Sequence, residues 1–318
     1  MTRGGPFRVA DSLAPVLAYV TGGSGFVGHW LQAHLTECGD DVHAPLVEIT
    51  DAWAVRQSLS AVNPDVVFHL AAQAHVGESW TDPIHTFRVN ALGTLHVLEA
   101  ARALTKPPRI IVISSAEVYG NVTPDELPIA ESRSARPVSP YGASKVAAVV
   151  LSRQALDGSG LEVICTRAFN HIGPGQSDAF VVSGVAHQVA LAERRGAEPV
   201  VRVGNLSARR DICDVRDVVR AYRLLAASGR PGEVYNVCAG VDRGIDEVVG
   251  LLVGLAAVPV RVEVDPARVR AVDIPVLRGD AAKLRADTGW APAFSLERSL
   301  EDVLSEWRSE VARSVADS

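Results

Sequence analysis

Short apolar runs alternate with helically spaced ones through the first half of the chain. Leu17–Val20 (LAYV), Val66–Leu70 (VVFHL), Ile110–Ile113 and Leu161–Thr166 are largely apolar or β-branched runs of strand length. Between them, Phe26–Cys38, Arg88–Ala103 and Tyr141–Ala155 carry helical spacing, and Ser139-Pro140 supplies a start signal for the last. Apolar strands alternating with helices predict an α/β fold built on a parallel sheet covered on both faces. After about Asn170 the texture changes. Glycine and proline become frequent ("HIGPGQ", "GRPGEVYN"), and helices are expected over about Phe180–Arg194, Val215–Ala227, Ile245–Leu255 and Leu296–Val311. The pattern predicts one unit over 16–170 and a smaller, partly interleaved α/β region over 171–318, with residues 1–15 as a loose tail.

Composition narrows the function. At 318 residues and 47% hydrophobic, the chain can bury a large core. Charged residues make up 21%, the net charge is −6 and no basic block occurs, so a nucleic-acid partner has no electrostatic support. No run of 18 apolar residues exists, and Pro15 interrupts the apolar part of the N-terminal segment, so neither a membrane span nor a signal peptide is expected. Cys38, Cys165, Cys213 and Cys238 match no metal spacing; they read as free thiols, three of them buried, in a cytoplasmic protein, and no metal is expected.

Val20–Leu31 reads "VTGGSGFVGHWL", with Gly22-x-x-Gly25-x-x-Gly28 between a strand and a helix. Such glycines let the backbone turn tightly and approach a pyrophosphate, and the helix N-terminus offers free N–H groups and a positive dipole end. The strand–turn–helix context predicts a dinucleotide site in a doubly wound Rossmann layer. No Gly-Lys-Ser/Thr follows, so this is not a P-loop.

The glycine spacing, "HLAAQ" (His69–Gln73), "NALGT" (Asn90–Thr94), "SSAEVYG" (Ser114–Gly120) and "YGASK" (Tyr141–Lys145) occur in this order, and together they resemble the extended short-chain dehydrogenase/reductase family from Ala18 to about Trp307. The resemblance implies NADP or NAD, held by Gly22, Ser24, Gly25, Phe26, Val27, Gly28, Leu70, Ala71, Ala72, Asn90, Tyr141, Lys145 and Ala168. Glu48 and Ile49, with Asp51, would lie near the adenine. Where a Rossmann strand usually ends in an acid for NAD or an arginine for NADP, this chain has His43, Ala44 and Pro45, so the preference stays open. The resemblance also makes Tyr141 and Lys145 a catalytic couple, with Ser115 polarising the substrate carbonyl and Ser114 as its near rival. A lysine ammonium one helical turn away, together with the charge of the oxidised nicotinamide, should lower the tyrosine pKa.

Within the family, "FNHIGPGQ", "VGNLSARRD", "DVRDVVRAY" and "GEVYNVC" are most similar to reductases of GDP- and other NDP-linked 4-keto-6-deoxyhexoses. That similarity implies Asn170 on the sugar nucleotide, Arg210 and Arg270 on its diphosphate and Asp273 on its ribose, with Arg209 either a further diphosphate arginine or a surface charge. The substrate would be a GDP- or dTDP-4-keto-6-deoxyhexose, as in the biosynthesis of GDP-rhamnose. Glu117 keeps two alternatives open, since related 4,6-dehydratases carry their C5 base there and a 4-epimerase would share the fold. The residue before it is Ala116, where dTDP-sugar dehydratases hold an acid, and Phe26-Val27 replaces the Gln-Asp of GDP-mannose dehydratases. A non-enzymatic dinucleotide binder is a further alternative, opposed by the presence of Ser115, Tyr141 and Lys145 together. The family resemblance also implies a homodimer made by the helices at about Arg88–Ala103 and Tyr141–Ala155.

Overall fold

The computed structural model describes residues 13–195, 199–268 and 273–316. Its main layer is a six-stranded parallel sheet. Strands β1 (Leu17–Thr21), β2 (Asp41–His43), β3 (Val66–His69), β4 (Arg109–Ser115) and β5 (Val163–Ala168) lie in the order β2-β1-β3-β4-β5, and Val234–Val237 closes the far edge beside β5. Alternate residues of these strands face opposite ways. Ala18, Val20, Phe68 and Ile111 pack with the helices Phe26–Glu37 and Val215–Ser228, while Tyr19, Val67, Ile110 and Val112 pack with Ala52–Val62, Gly93–Arg102 and Pro140–Ser159. This two-sided burial explains why the strands read as continuous apolar runs.

The last half of the chain enters the first layer through Val215–Ser228 and Val234–Val237. It also builds its own core, in which Val185, Val189, Val201, Leu252, Leu300 and Leu304 are buried together. Its strand Arg209–Asp214 pairs with Asp242–Gly244, Val276–Leu277 and Asn170–Ile172. Buried ion pairs tie the parts together. Arg223 donates to Asp40 at 2.8 Å, and Arg216 bridges Asp214 (2.7 Å) and Asp302 (2.8 Å) with its guanidinium 3.8 Å from the Phe294 ring centre. Each such pair fixes geometry more than it adds net stability. Cys165, Cys213 and Cys238 are buried free thiols, and Cys38 is partly exposed.

The helix expected over Arg88–Ala103 is instead a π-turn, Arg88–Leu92, followed by the α-helix Gly93–Arg102. Residues 1–12 of the expected tail lie outside the described residues, and Leu13–Val16 have no regular structure. Along the sheet the chain runs outward from β1 to β2 and then returns past β1 to β3. The carboxyl ends of β1 and β3 therefore form the switch point where ligands of open α/β sheets bind.

Candidate active site

The glycine turn leaves the end of β1 at this switch point. Gly22 has φ +69°, and a Cβ there would stand 2.7 Å from the Ala71 nitrogen. A Cβ at Gly28 would stand 2.3 Å from the Gly22 carbonyl oxygen, so this glycine is needed for the helix to sit on the turn. Gly25 differs. A Cβ there would meet a single atom, the Gly22 oxygen, at a tight 3.3 Å, so the protein crowds this position far less than Gly22 or Gly28. Gly25 is the N-cap of Phe26–Glu37, and no side chain occupies the first free N–H groups of that helix. A helix N-terminus without a side-chain cap, reached by an exposed glycine, suits a pyrophosphate, so the residues present fit a dinucleotide. Ser24 is exposed on the turn, with Phe26 and Val27 half-buried behind it. The Phe26 ring turns towards the later half, stacking on His171 with 6.2 Å between centres.

Leu70, Ala71 and Ala72 line the facing edge, all half-buried, and Ala168 ends β5. Glu48 is exposed and folds onto its own turn, accepting from Thr50 N (3.0 Å) and Thr50 Oγ1 (2.8 Å). Two expected cofactor contacts have other work. The Ile49 side chain is buried against Gly93, and its carbonyl oxygen lies 3.0 Å from His96 Nδ1. The Asn90 carboxamide is tied into the protein: it accepts from Gln73 N (2.8 Å) and donates to Gln73 O (3.0 Å) and Ser144 Oγ (2.9 Å). Asn90 thus clamps the loop after β3 to the helix Pro140–Ser159. Asp51 caps Ala52–Val62 by accepting from Trp53 N and Ala54 N.

Ser115 ends β4, and Tyr141 and Lys145 lie in the first turns of Pro140–Ser159, which Ser139 caps by accepting from Gly142 N. Tyr141 and Lys145 are buried. Ser114 and Ser115 are now distinct. The Ser114 hydroxyl donates to the Lys145 carbonyl at 3.4 Å, whereas the Ser115 hydroxyl accepts from Glu117 N at 3.2 Å and acts on Tyr141 to lower its pKa. Lys145 is not among the groups that bring the Tyr141 pKa down. Burial pushes it up to about 12; the Ser115 hydrogen bond lowers it, and the Glu117 carboxylate nearby adds to the rise. The Lys145 ammonium lies 5.9 Å from the Tyr141 ring centre and donates to the Ile113 carbonyl at 2.9 Å. Burial also brings Lys145 down to about 8. Burial thus favours the uncharged form of both groups.

The residues expected on the substrate lie beyond this couple. Asn170 is exposed at the start of Asn170–Ile172. Arg210 and Asp273 form an ion pair at 2.6 Å, Arg210 Nη1 donates to the Arg209 carbonyl, and Asn205 Nδ2 donates to Asp273 at 2.9 Å. Asn205 had not been expected there. Its "GN" turn carries no chemical signature, and only the fold brings it within reach of a residue 68 positions later. Arg209 instead pairs with Asp242 and Glu247. Arg270 lies outside the described residues. Among the described residues, no group of three His, Cys, Asp or Glu could hold a metal ion, and no helix is long and apolar enough to cross a membrane.

Comparison with known proteins adds the following. The family model for GDP-mannose 4,6 dehydratase matches residues 45–303. The chain is 39% identical to the GDP-6-deoxy-D-mannose reductase of Pseudomonas aeruginosa over 92% of its own length and 97% of that protein's. It is 29% identical to a GDP-mannose 4,6-dehydratase of Vibrio cholerae, over 81% of this chain and 76% of the other. Among solved structures it resembles RMD from Pseudomonas aeruginosa in complex with NADPH, at TM-score 0.86 and 37% identity, over 93% of this chain and 98% of that one. It also resembles the UDP-glucose 4-epimerase of Thermus thermophilus in complex with NAD, at TM-score 0.82 and 28% identity, over 92% and 98% of the two chains.

Proposed function

The chain belongs to the GDP-mannose 4,6-dehydratase family of nucleotide-sugar enzymes, and from that premise we propose that it is a reductase: it reduces the C4 ketone of a GDP-linked 4-keto-6-deoxyhexose with NADPH or NADH. One observation carries this reading. The chain is 39% identical to the GDP-6-deoxy-D-mannose reductase of Pseudomonas aeruginosa over 97% of that protein, with Ala116 standing where dTDP-sugar dehydratases hold an acid. A bound reduced nicotinamide supplies the hydride. The Ser115 hydroxyl hydrogen-bonds the substrate carbonyl and polarises it. Tyr141 gives its proton to the developing alkoxide. The Lys145 ammonium offsets the charge left on the phenolate. Arg210 binds the diphosphate through its forked donors once Asp273, held by Asn205, turns to the ribose. The half of the chain after Asn170 holds the sugar nucleotide, and 16–170 holds the cofactor. Four free thiols suit a cytoplasmic location.

The direct test mixes the purified protein with NADPH or NADH and GDP-4-keto-6-deoxymannose, with the dTDP-linked 4-keto sugar in parallel. Loss of reduced-cofactor absorbance with a new 4-hydroxyl in the NMR spectrum is expected, and no loss with any of these sugars would refute the reading. Glu117 favours a second reading, 4,6-dehydration, because it stands at the position where related dehydratases carry their C5 base. Glu117→Gln should keep the reductase within about tenfold of its parent, whereas loss of a C5 base would cost a dehydratase about 10²–10⁴.

A homodimer is part of the proposal. Trp80, Ile84, Phe87, Leu92 and Val150 are exposed apolar residues on helices that pack together. Phe87, Arg88, Ala91, Leu92, Leu95 and Leu151 line a depression of about 330 Å³ there. A second copy of the same face would cover it. Leu92→Glu should turn a dimer into a monomer in sedimentation experiments; a monomeric parent at micromolar concentration would end this reading.

A further inference from the structure

A line of buried polar groups lies beneath the site and takes no part in the steps above. Ala71 N donates to Thr21 Oγ1 (3.1 Å), and Thr21 Oγ1 is 2.8 Å from His69 Nδ1. His69 Nε2 is 3.0 Å from Thr94 Oγ1, which donates to the Asn90 carbonyl at 2.6 Å. Thr21, His69, Thr94 and Asn90 are all buried.

The direction of every bond follows from these partners. A carbonyl can only accept, so the single hydroxyl hydrogen of Thr94 is spent on Asn90. Thr94 must then accept from His69, which puts the proton on Nε2. Burial, with the Lys145 charge close by, holds the ring neutral by bringing its pKa down to about 3. Nδ1 is therefore a bare acceptor for the Thr21 hydroxyl, which in turn accepts from Ala71. Each hydrogen has one place, and reversing any bond would break its neighbours.

The two ends of this line meet the working parts. At one end, the Ala71 nitrogen sits where a Gly22 side chain would have to go, so fixing Ala71 sets the gap between the glycine turn and the facing loop. At the other end, Asn90 lies inside the π-turn, where the Gly93 N–H reaches back to the Arg88 carbonyl. π-turns inside helices often mark functional positions. Here the Thr94 hydroxyl supplies a partner for the Asn90 carbonyl, and the turn aims the Asn90 carboxamide at Gln73 and Ser144. Ser144 Oγ then donates to the Tyr141 carbonyl at 2.7 Å.

We propose that Thr21, His69 and Thr94 are positioning residues: a one-way hydrogen-bond relay that sets the cofactor cleft and the first turn of the Tyr141 helix as a single unit. His69 acts in it as a fixed neutral coupler and never as an acid or base. The kinetic part rests on the reductase reading above, and the binding part does not.

The test uses the full chain. Thr94→Val removes both roles of the hydroxyl at nearly constant volume, and Thr94→Ser keeps them. The NADPH Kd, read by cofactor fluorescence, is expected to weaken about tenfold in Thr94→Val and to return to within about twofold of the parent in Thr94→Ser. The KM for the keto sugar nucleotide should stay within about twofold in both, because Arg210 and Asp273 lie outside the relay. Ser144→Ala should leave the NADPH Kd unchanged and lower kcat about tenfold. Parental NADPH affinity in Thr94→Val, a Thr94→Ser as defective as Thr94→Val, or a Kd and KM that rise together would each overturn the proposal. Should Thr94→Val fail to fold, a tenfold loss of affinity in Thr94→Ser or a parental kcat in Ser144→Ala would overturn it. A parent that binds NADPH but reduces no keto sugar refutes the reductase reading alone, and the Kd comparison still decides the relay.

Discussion

Tyr141→Phe is expected to lower kcat by about 10³ while the NADPH Kd stays within about threefold of the parent. The ring remains, so the packing and any contact of the aromatic face with the cofactor survive. What disappears is the hydroxyl that, on the proposed reductase reading, gives its proton at the carbonyl that Ser115 polarises. Its pKa, pushed up to about 12, keeps that hydroxyl protonated at any working pH, which suits a donor to an alkoxide and not a standing base. KM for the sugar nucleotide should change little, since the proton transfer is made only in the transition state. Steady-state rates with a fluorescence titration of NADPH check this. A kcat within tenfold of the parent would remove Tyr141 from the chemistry, and a Kd that collapses with kcat would make its role structural.

What the sequence disclosed and what it hid divide along physical lines. The glycine turn was legible because residue type itself records the constraint: only glycine accepts φ +69° at position 22 with a neighbour 2.7 Å from its missing Cβ. β1, β3, β4 and β5 were legible because parallel strands buried on both faces leave unbroken apolar runs. The helix Ala52–Val62 was missed although its signal was present, since Asp51 is a standard N-cap residue and had been assigned to the adenine. The π-turn could not be read from the sequence, because its anchors on Thr94 and Asn90 depend on His69 from another strand. The Arg210–Asp273 pair joins residues 63 apart through strand pairing that the sequence does not print. The Tyr141 pKa was misjudged for a related reason. Four-residue spacing reveals the lysine neighbour but not the burial, and burial outweighs every other influence here.

Lys145 carries the second large effect, and its sign is open to a pH titration. Lys145→Met should lower kcat/KM by about 10², through loss of the charge that offsets the developing phenolate. In the parent, burial brings the ammonium down to about 8, so its charge is present below that pH and lost above it. The reductive kcat/KM should therefore be level from about pH 6 to 7.5 and fall through an apparent pKa near 8. Tyr141 cannot cause that limb, because its own ionisation lies near 12. Lys145→Arg keeps a charge that no accessible pH removes, so its profile should stay flat up to about pH 10 even if its rate is lower. The same shift has a thermodynamic counterpart. Between about 8 and the ordinary lysine value of 10.5 the folded chain binds fewer protons than the unfolded one, so this group makes the fold more stable as pH rises through that window. A limb near pH 8 that persists in Lys145→Arg would assign it to another group, and a parental profile flat to pH 10 would mean that the ammonium keeps its charge despite its burial.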